Sequence, residues 1–289
     1  SIIKAMSRVK EGVYGEKIEY SGADEVGQLV QNFNIMSNTI KEKEEESRKT
    51  DIAKDEFLAM ITHELKTPLV PIQGYSDMLL SEHLGKLTIK QKERIRIIKS
   101  SSESLLSLIS DLLDAQKLEL GQLRMKKEDS NIKDTIEQAI EKLKPQCDQN
   151  NIQISSNVVN FTINHDSQRI GQVITNLIKN SAIAVKPDSG KIDVSLEILP
   201  TEIKISVKDN GIGIPKEKQK NLFKKFYQVD ASHTREKGGS GLGLAISKGI
   251  IDSHNGQISV DSTPDQGATF SFTLPKKTTG QTKFPVSST

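Results

Sequence analysis

The stretch Glu202-Ile-Lys-Ile-Ser-Val-Lys-Asp-Asn-Gly-Ile-Gly-Ile-Pro215 sets the frame for the rest of the chain. Ile203, Ile205 and Val207 alternate with polar residues, the period of a strand with one buried face. The strand breaks at Asp209-Asn210-Gly211-Ile212-Gly213, where two glycines let the backbone turn tightly and come close to a ligand. A second glycine-rich run, Gly238-Gly-Ser-Gly-Leu-Gly-Leu244, opens an apolar helix, and the first amides of a helix suit a phosphate. One such loop is weak evidence, because turns and helix starts also use glycine. Here both loops follow Asn176 and Asn180, which lie four apart on one helix face, and Asn side-chain oxygens suit Mg²⁺ and its retained waters. Together they favour a site for a phosphate-bearing ligand.

Outward from this stretch, strand-period runs recur at Ile192, Val194, Leu196 and Ile198, at Ile152 and Ile154, and over 257–260 and 269–274. Helical spacing is read over 132–143 and from about 168 to 185. Strands mixed with helices, without strict βαβ alternation, predict an α+β layer structure. Residues 277–289 are polar and without periodicity, and are expected to form a disordered tail.

The first half reads differently. Apolar residues recur at helical spacing over 3–9 and 26–40 with a Gly- and Ser-containing joint between them, so the reading is helix, connector, helix. Residues 41–54 are nearly all charged and lie between two periodic stretches, which favours one continuous helix. A helix from about 55 to 80 carries a stripe of Leu58, Ile61, Leu65, Leu69, Ile72 and Leu79. A partner over 88–123 carries Ile95, Ile98, Leu105, Ile109 and Leu112 near a seven-residue repeat, interrupted at Ser102 and Gln116. The joint over 81–87 contains Gly85. Such a hairpin has too little apolar surface to stand alone, so it is expected to dimerise into a four-helix bundle.

Composition agrees with this division. Among 289 residues only 4% are aromatic, with no Trp, which suits long helices packed on Leu and Ile better than one large core. Lys and Arg total 40 against 38 Asp and Glu, and a net charge of +2 provides no field for nucleic acid. The single Cys147 cannot form an intrachain disulfide, and no Cys/His set has zinc spacing, so a reducing compartment and no structural metal are expected. No apolar run approaches the roughly 18 residues of a membrane span and no signal peptide opens the chain, so it reads as soluble.

The run Phe57-Leu-Ala-Met-Ile-Thr-His-Glu-Leu-Lys-Thr-Pro-Leu69 places a His, a carboxylate and a Thr on one helix, with His63 and Thr67 sharing a face. The apolar stripe turns the other way, which leaves His63 accessible. Pro68 removes an N–H and crowds the carbonyl of Glu64, so a bend is expected there. His83, His165, His233 and His254 read as solvent-facing or capping. Phe223 and Phe226 read as packing under a lid, and Met60, Met78 and Met125 as core fillers.

At these residues the sequence resembles the sensor histidine kinases of two-component systems, over nearly its whole length. Residues 57–69 are similar to the phosphoacceptor box, Asn176 to Asn180 to the asparagine box, and Asp209 to Pro215 and Gly239 to Leu244 to the glycine boxes. Leu222-Phe-Lys-Lys-Phe-Tyr227 resembles the phenylalanine box and Gly267-Ala-Thr-Phe270 the final strand signature. Asp24-Glu-Val-Gly-Gln-Leu29 resembles the start of the second helix of a HAMP relay module.

The resemblance implies a HAMP-like relay over 1–45, a dimerisation and histidine-phosphotransfer domain over 46–124, and a catalytic ATP-binding domain over 125–276, a two-layer α+β sandwich of the histidine kinase and Hsp90-like type. It implies ATP and Mg²⁺ as cofactors, a homodimer, a response-regulator receiver domain as partner, and a place on the cytoplasmic side of a membrane, attached through upstream residues not in this chain. His63 would attack the γ-phosphate of ATP through a ring nitrogen, since imidazole is largely neutral near pH 7. Glu64 would orient the ring or take its proton. Thr67 would position water for dephosphorylating the regulator. Asn180 would hold Mg²⁺, Asn176 would lie near the phosphates, and Asp209 would accept the adenine amino group. Gly211, Gly213, Gly239, Gly241 and Gly243 would line the pocket and hinge its lid, with Lys225, Phe226, Arg235, Leu242 and Thr269 completing the nucleotide-binding set. Ile183, Ala184 and Gln228 depart from the family, which has Lys, an aromatic and Arg at many of these positions; Lys186, Lys225 or Arg235 are candidates to replace the lost basic contacts. The rival expectations are a degenerate, nucleotide-gated scaffold, or another ATPase that shares the nucleotide fold.

Overall fold

A computed structural model of the chain describes residues 6–9, 13–20, 22, 24–229 and 240–276, with the side chains of 51, 54–56, 58 and 59 also outside the description. Arg235, His233, Gly239, the Leu58 side chain and the tail expected over 277–289 therefore lie outside the described residues. The chain divides into two compact units, Ser1–Ser102 and Glu103–Thr289, each considered by itself.

In the first unit, residues 6–9 are helical and 13–20 have no regular element. Helix α1 runs unbroken over Glu25–Leu80, 56 residues, or about 84 Å at 1.5 Å per residue. Asp24 caps it by accepting the Gly27 N–H at 2.9 Å. That amide, with the Tyr20 hydroxyl second, holds the Asp24 carboxyl below its ordinary range. Val30, Phe33 and Ser37, three and four apart, are buried under the preceding segment. The segment is tied down by Gly15 N–H donating to Ser37 Oγ and by Asn34, which accepts from Ile18 N–H and donates to Ile18 O. The charged run 41–54 is helical throughout, as its flanks predict, and the helix continues through Pro68 and Pro71. Helix α2 spans Ile89–Glu119. Between the helices, Glu82 and Gly85 adopt positive φ, and Lys92 and Lys99 reach back to Glu82 and Asp77.

The stripe expected to be buried on α1 is only partly so. Leu69 is buried, but Leu65 and Ile72 are 41% and 40% exposed. Met60 and Met78 are exposed as well, a correction to their reading as core fillers. An apolar stripe about a hundred degrees wide marks a face that seeks packing partners and does not itself supply them.

The second unit begins with the last turns of α2, which end where Gly121 takes φ +64, the usual left-handed stop. Then follow β1 Glu128–Asn131, α3 Ile132–Gln149, β2 Gln153–Asn157, β3 Thr162–His165, α4 Ser167–Ala184, β4 Lys191–Ile198, β5 Glu202–Asp209, a single turn α5 Lys216–Gln219, α6 Gly243–Ser253, β6 Ile258–Ser262 and β7 Ala268–Pro275. Five strands form a sheet in the order β2-β4-β5-β7-β6, with β2 parallel to β4 and the other pairs antiparallel. Ile192 and Val194 on β4 and Ile203, Ile205 and Val207 on β5 are buried while their neighbours along each strand are not. One face of the sheet thus lies in the core, under α3, α4 and α6, giving two layers. Helix α4 supplies Ile170, Val173, Ile174, Leu177 and Ile178 to that core; full burial of each contributes about 1.5–3 kcal/mol. The four-residue strands β1 and β3 pair with each other and escape the sequence reading, because EDSN and TINH lack apolar alternation.

One histidine corrects the sequence reading and a second keeps its capping role while being buried. His165 is fully buried, with Thr135 Oγ1 at 2.9 Å from Nε2 and the Ile163 carbonyl at 3.0 Å from Nδ1. It faces the core because it ends β3 on the inward side of the strand. His254 does cap α6 but is only 3% exposed. Its Nδ1 lies 2.8 Å from the Ile250 carbonyl, and its Nε2 accepts the Asp166 N–H at 3.1 Å, a pattern that requires the neutral ring. Asp166 in turn caps α4 through Arg169 N–H and accepts Lys126 N–H.

Burial lowers the His254 pKa from its ordinary 6.5, against the opposing effect of the Ile250 carbonyl. A folded state that refuses a proton which the unfolded chain accepts loses stability as pH falls below the unfolded value, down to the folded pKa. The urea midpoint is therefore expected to drop from about pH 7 to about pH 5.5, and to drop less steeply in His254→Gln; equal slopes contradict the assignment.

Candidate functional site

Strand alternation places Asp209. After Ile203, Ile205 and Val207 it is the next residue on the inward face of β5, and it is 3% exposed. A buried carboxylate must be hydrogen-bonded, and three segments of chain provide the donors. Gly211 N–H and Ala268 N–H donate to Oδ1 at 2.9 and 3.1 Å, and Ser181 Oγ donates to Oδ2 at 3.0 Å.

The loop after β5 is packed too closely for side chains. A Cβ on Gly211 would lie 2.7 Å from the Ala184 carbonyl oxygen, the same oxygen that accepts Ile212 N–H at 3.2 Å. Gly213 has φ +67, and a Cβ there would overlap the Thr263 carbonyl. Opposite, the turn before β7 closes on Asp209 through Gly267, at φ +83. Thr269 follows on β7, half-buried and paired with Lys208 and Asp261.

The second glycine run meets α4 at Asn176. Asn176 Nδ2 donates to Ser247 Oγ, a buried hydroxyl on α6, at 2.9 Å, and Gly243 leaves room for the Asn176 carboxamide, which a Cβ would strike. Asn180 is half-buried one turn further along α4. Leu242 is 3% exposed, directly before α6. Gly241, at φ +68, accepts Phe226 N–H at 2.9 Å. The Phe226 side chain is 65% exposed, whereas Phe223 packs against the core. Packing under a lid is thus corrected for Phe226: its left-handed backbone, φ +61, aims the N–H at Gly241 and turns the ring outward.

Two of the three basic candidates are described. Lys225 Nζ pairs with Glu119 Oε2 at 2.7 Å, and Lys186 is exposed. Glu119 belongs to the end of α2, which also packs here: Asp114 accepts from Arg169 and Gln172 on α4, and Leu118 fills the space above Gly249. Burial, with the Asp114 charge second, raises the pKa of Asp111 on the same helix.

In the first unit, His63 projects from the middle of α1 with its side chain 80% exposed, its Nδ1 3.8 Å from Glu64 Oε1. Thr67 Oγ1 donates to the His63 carbonyl at 2.8 Å, which leaves the hydroxyl oxygen free to accept. The structure thus brings Asp209, Gly211, Gly213, Asn176, Gly241, Gly243 and Thr269 into one unit, and His63, Glu64 and Thr67 onto one helix of the other. The sequence reading missed Ser181, Ser247 and Glu119. Ser181 carried a signal: it stands at the next position of the stripe Ile174, Leu177, Ile178, where a hydroxyl would otherwise be buried without reason.

Three family models match the chain: the HAMP domain over residues 1–42, the His Kinase A (phospho-acceptor) domain over 53–121, and the histidine kinase-, DNA gyrase B-, and HSP90-like ATPase over 165–278. The circadian input-output histidine kinase CikA of Synechococcus elongatus is 33% identical over 266 residues, 87% of this chain and 35% of that protein. Among solved structures, full-length ShkA in complex with AMPPNP superposes with a TM-score of 0.63 at 27% identity, covering 76% of this chain and 46% of that one. Histidine kinase ThkA in complex with response regulator protein TrrA superposes at 0.52 with 26% identity, covering 82% and 66%. The chain spans about a third of the length of the curated relatives it matches.

The glycine contacts give a direct test. Gly211→Ala is expected to cost about 1–3 kcal/mol of stability through overpacking. Gly74→Ala, within α1 and with nothing inside 4 Å of the added Cβ, is expected to stabilise by about 1 kcal/mol through helix propensity. Urea unfolding of both variants checks the contrast.

Proposed function

The chain carries the HAMP, phospho-acceptor and ATPase domains of a sensor histidine kinase, in that order, and we propose that it moves the γ-phosphoryl group of ATP onto its own His63 and from there to an aspartate of a response regulator. The observation that carries the reading is His63 itself: an imidazole presented to solvent from mid-helix, inside the phospho-acceptor match, with a carboxylate beside it. A ring nitrogen attacks phosphorus, the bond from the γ-phosphorus to the bridging oxygen breaks, ADP departs, and the ring loses one proton to balance the charge. Glu64 holds or accepts that proton after a small rotation toward Nδ1.

In the nucleotide pocket, Asp209 accepts the adenine amino group, and the amides around Gly211, Gly213, Gly241 and Gly243 lie against the sugar and phosphates. Asn180 fits Mg²⁺, which prefers one or two oxygen ligands from the protein with the rest from phosphate and water, and which would neutralise charge on the phosphates. The Asn176 amide holds α6 through Ser247 and keeps the second loop beside Asn180. Because phosphoryl transfer depends on positioning, the rate should follow how often the pocket reaches His63. The AMPPNP complex of ShkA and the TrrA complex of ThkA support nucleotide and regulator as ligands.

A homodimer covers the exposed Leu65, Ile72 and Ile98 of the hairpin. Residues 1–45 relay a signal, 46–124 carry the phosphoacceptor, and 125–276 bind the nucleotide. The HAMP match supports a place on the cytoplasmic side of a membrane, and among the described residues no helix is long and apolar enough to cross one. The engagement of Lys225 by Glu119 favours the degenerate-scaffold reading only if no label is gained in the following test.

Incubation with γ-labelled ATP and Mg²⁺ is expected to give a protein-bound label that is lost in acid and kept in base, and absent from His63→Ala. An unlabelled parent sinks the kinase reading, and a label that persists in His63→Ala moves the acceptor elsewhere. For Thr67, we expect Thr67→Ala to release phosphate from the phosphorylated regulator about tenfold more slowly than the parent; equal rates end the phosphatase assignment.

A further inference from the structure

We propose that Ser181 is a positioning residue that makes the base-recognition edge of the pocket accept hydrogen bonds only, and so sets the preference for a 6-amino purine over a 6-oxo purine. The proposal rests on the reading of this pocket as an ATP site.

An ionised carboxylate offers about four acceptor positions and no donor. On Asp209, Gly211 N–H and Ala268 N–H occupy Oδ1, and the Ser181 hydroxyl occupies one side of Oδ2. One position on Oδ2 is left for a ligand. Ser181 is 1% exposed, and its hydroxyl donates to Oδ2, so it turns no donor toward a ligand. The edge at Asp209 therefore presents an acceptor without a donor. An exocyclic amino group, with two N–H bonds, fits such an edge. A 6-oxo group, as in hypoxanthine, brings lone pairs against lone pairs and is repelled.

Asp209 alone is a less certain discriminator. Two donors to Oδ1 leave Oδ2 free to rotate slightly. The Ser181 hydroxyl opposes this, because it fixes Oδ2 from the α4 side. A site built on fixed, buried acceptors rejects the wrong partner more strongly than a loosely held one. Core packing does not account for a hydroxyl at this position, since the neighbouring buried residues of the stripe, Ile174, Leu177 and Ile178, are all hydrocarbon.

The test compares ATP with ITP as phosphoryl donors for the parent, Ser181→Ala and Ser181→Thr, in the full chain. Ser181→Ala is expected to raise KM for ATP about tenfold with kcat nearly kept, the value of one hydrogen bond to a charged group. Its ATP-over-ITP ratio of kcat/KM should fall by a similar factor, while Ser181→Thr, which keeps the hydroxyl, restores the ratio. Should Ser181→Ala not fold, as judged by circular dichroism, Ser181→Cys carries the same expectation, since a thiol is a poor donor. A parent that uses neither nucleotide, and binds neither, overturns the pocket reading and this proposal with it. A parent that prefers ATP beside a variant with the same preference overturns this proposal alone.

Discussion

A carboxylate carried into a hydrophobic core by strand alternation has to be met by donors, and Asp209 is that carboxylate. Its three partners come from the fourth helix, the loop that follows its own strand, and the first residue of β7. Each partner imposes something on its segment. The Gly211 amide reaches back to Asp209 only if the loop presses against Ala184, which excludes a side chain at 211. The Ala268 amide is brought in by a turn that needs Gly267 at positive φ. One buried charge thus fixes the relative positions of a helix, a loop and a strand, and these are the segments that surround the nucleotide in the proposed function.

What the sequence made legible follows the strength of its periodicity. The alternation of 203–207 and the helical spacing of 170–178 gave elements close to those observed, because both faces of these elements have opposite chemistry. β1 and β3 were illegible, since EDSN and TINH pair with each other through backbone and polar contacts and carry no apolar pattern. Glycines could be seen to be needed, but not why: Gly213 and Gly267 are required by carbonyls of residues 263 and 209, neighbours that only the fold brings near. His165 misled, because it sits in a polar stretch yet finds partners in Thr135 and Ile163 inside the core, whereas His254 caps its helix as read but does so buried, against Asp166 and Ile250.

The helical part shows the opposite relation between pattern and burial. Its stripes were plain in the sequence, but in one hairpin Leu65, Ile72, Met78 and Ile98 remain exposed. Amphipathic spacing states which face seeks a neighbour, and it says nothing about whether that neighbour lies in the same chain. In the second unit, by contrast, helices α3, α4 and α6 of the same chain close one face of the sheet.

Helix α1 continues through Pro68 and Pro71, and neither residue has an N–H to give. The carbonyls of Glu64 and Thr67, one turn before each, are therefore without their regular intrahelical donors. Along a rod of 56 residues the restoring force against flexing comes mainly from that ladder of backbone bonds. Stiffness is consequently lowest in the turn that begins at His63, so a torque applied at either end of the rod is relieved as curvature beside the imidazole rather than spread evenly over its length.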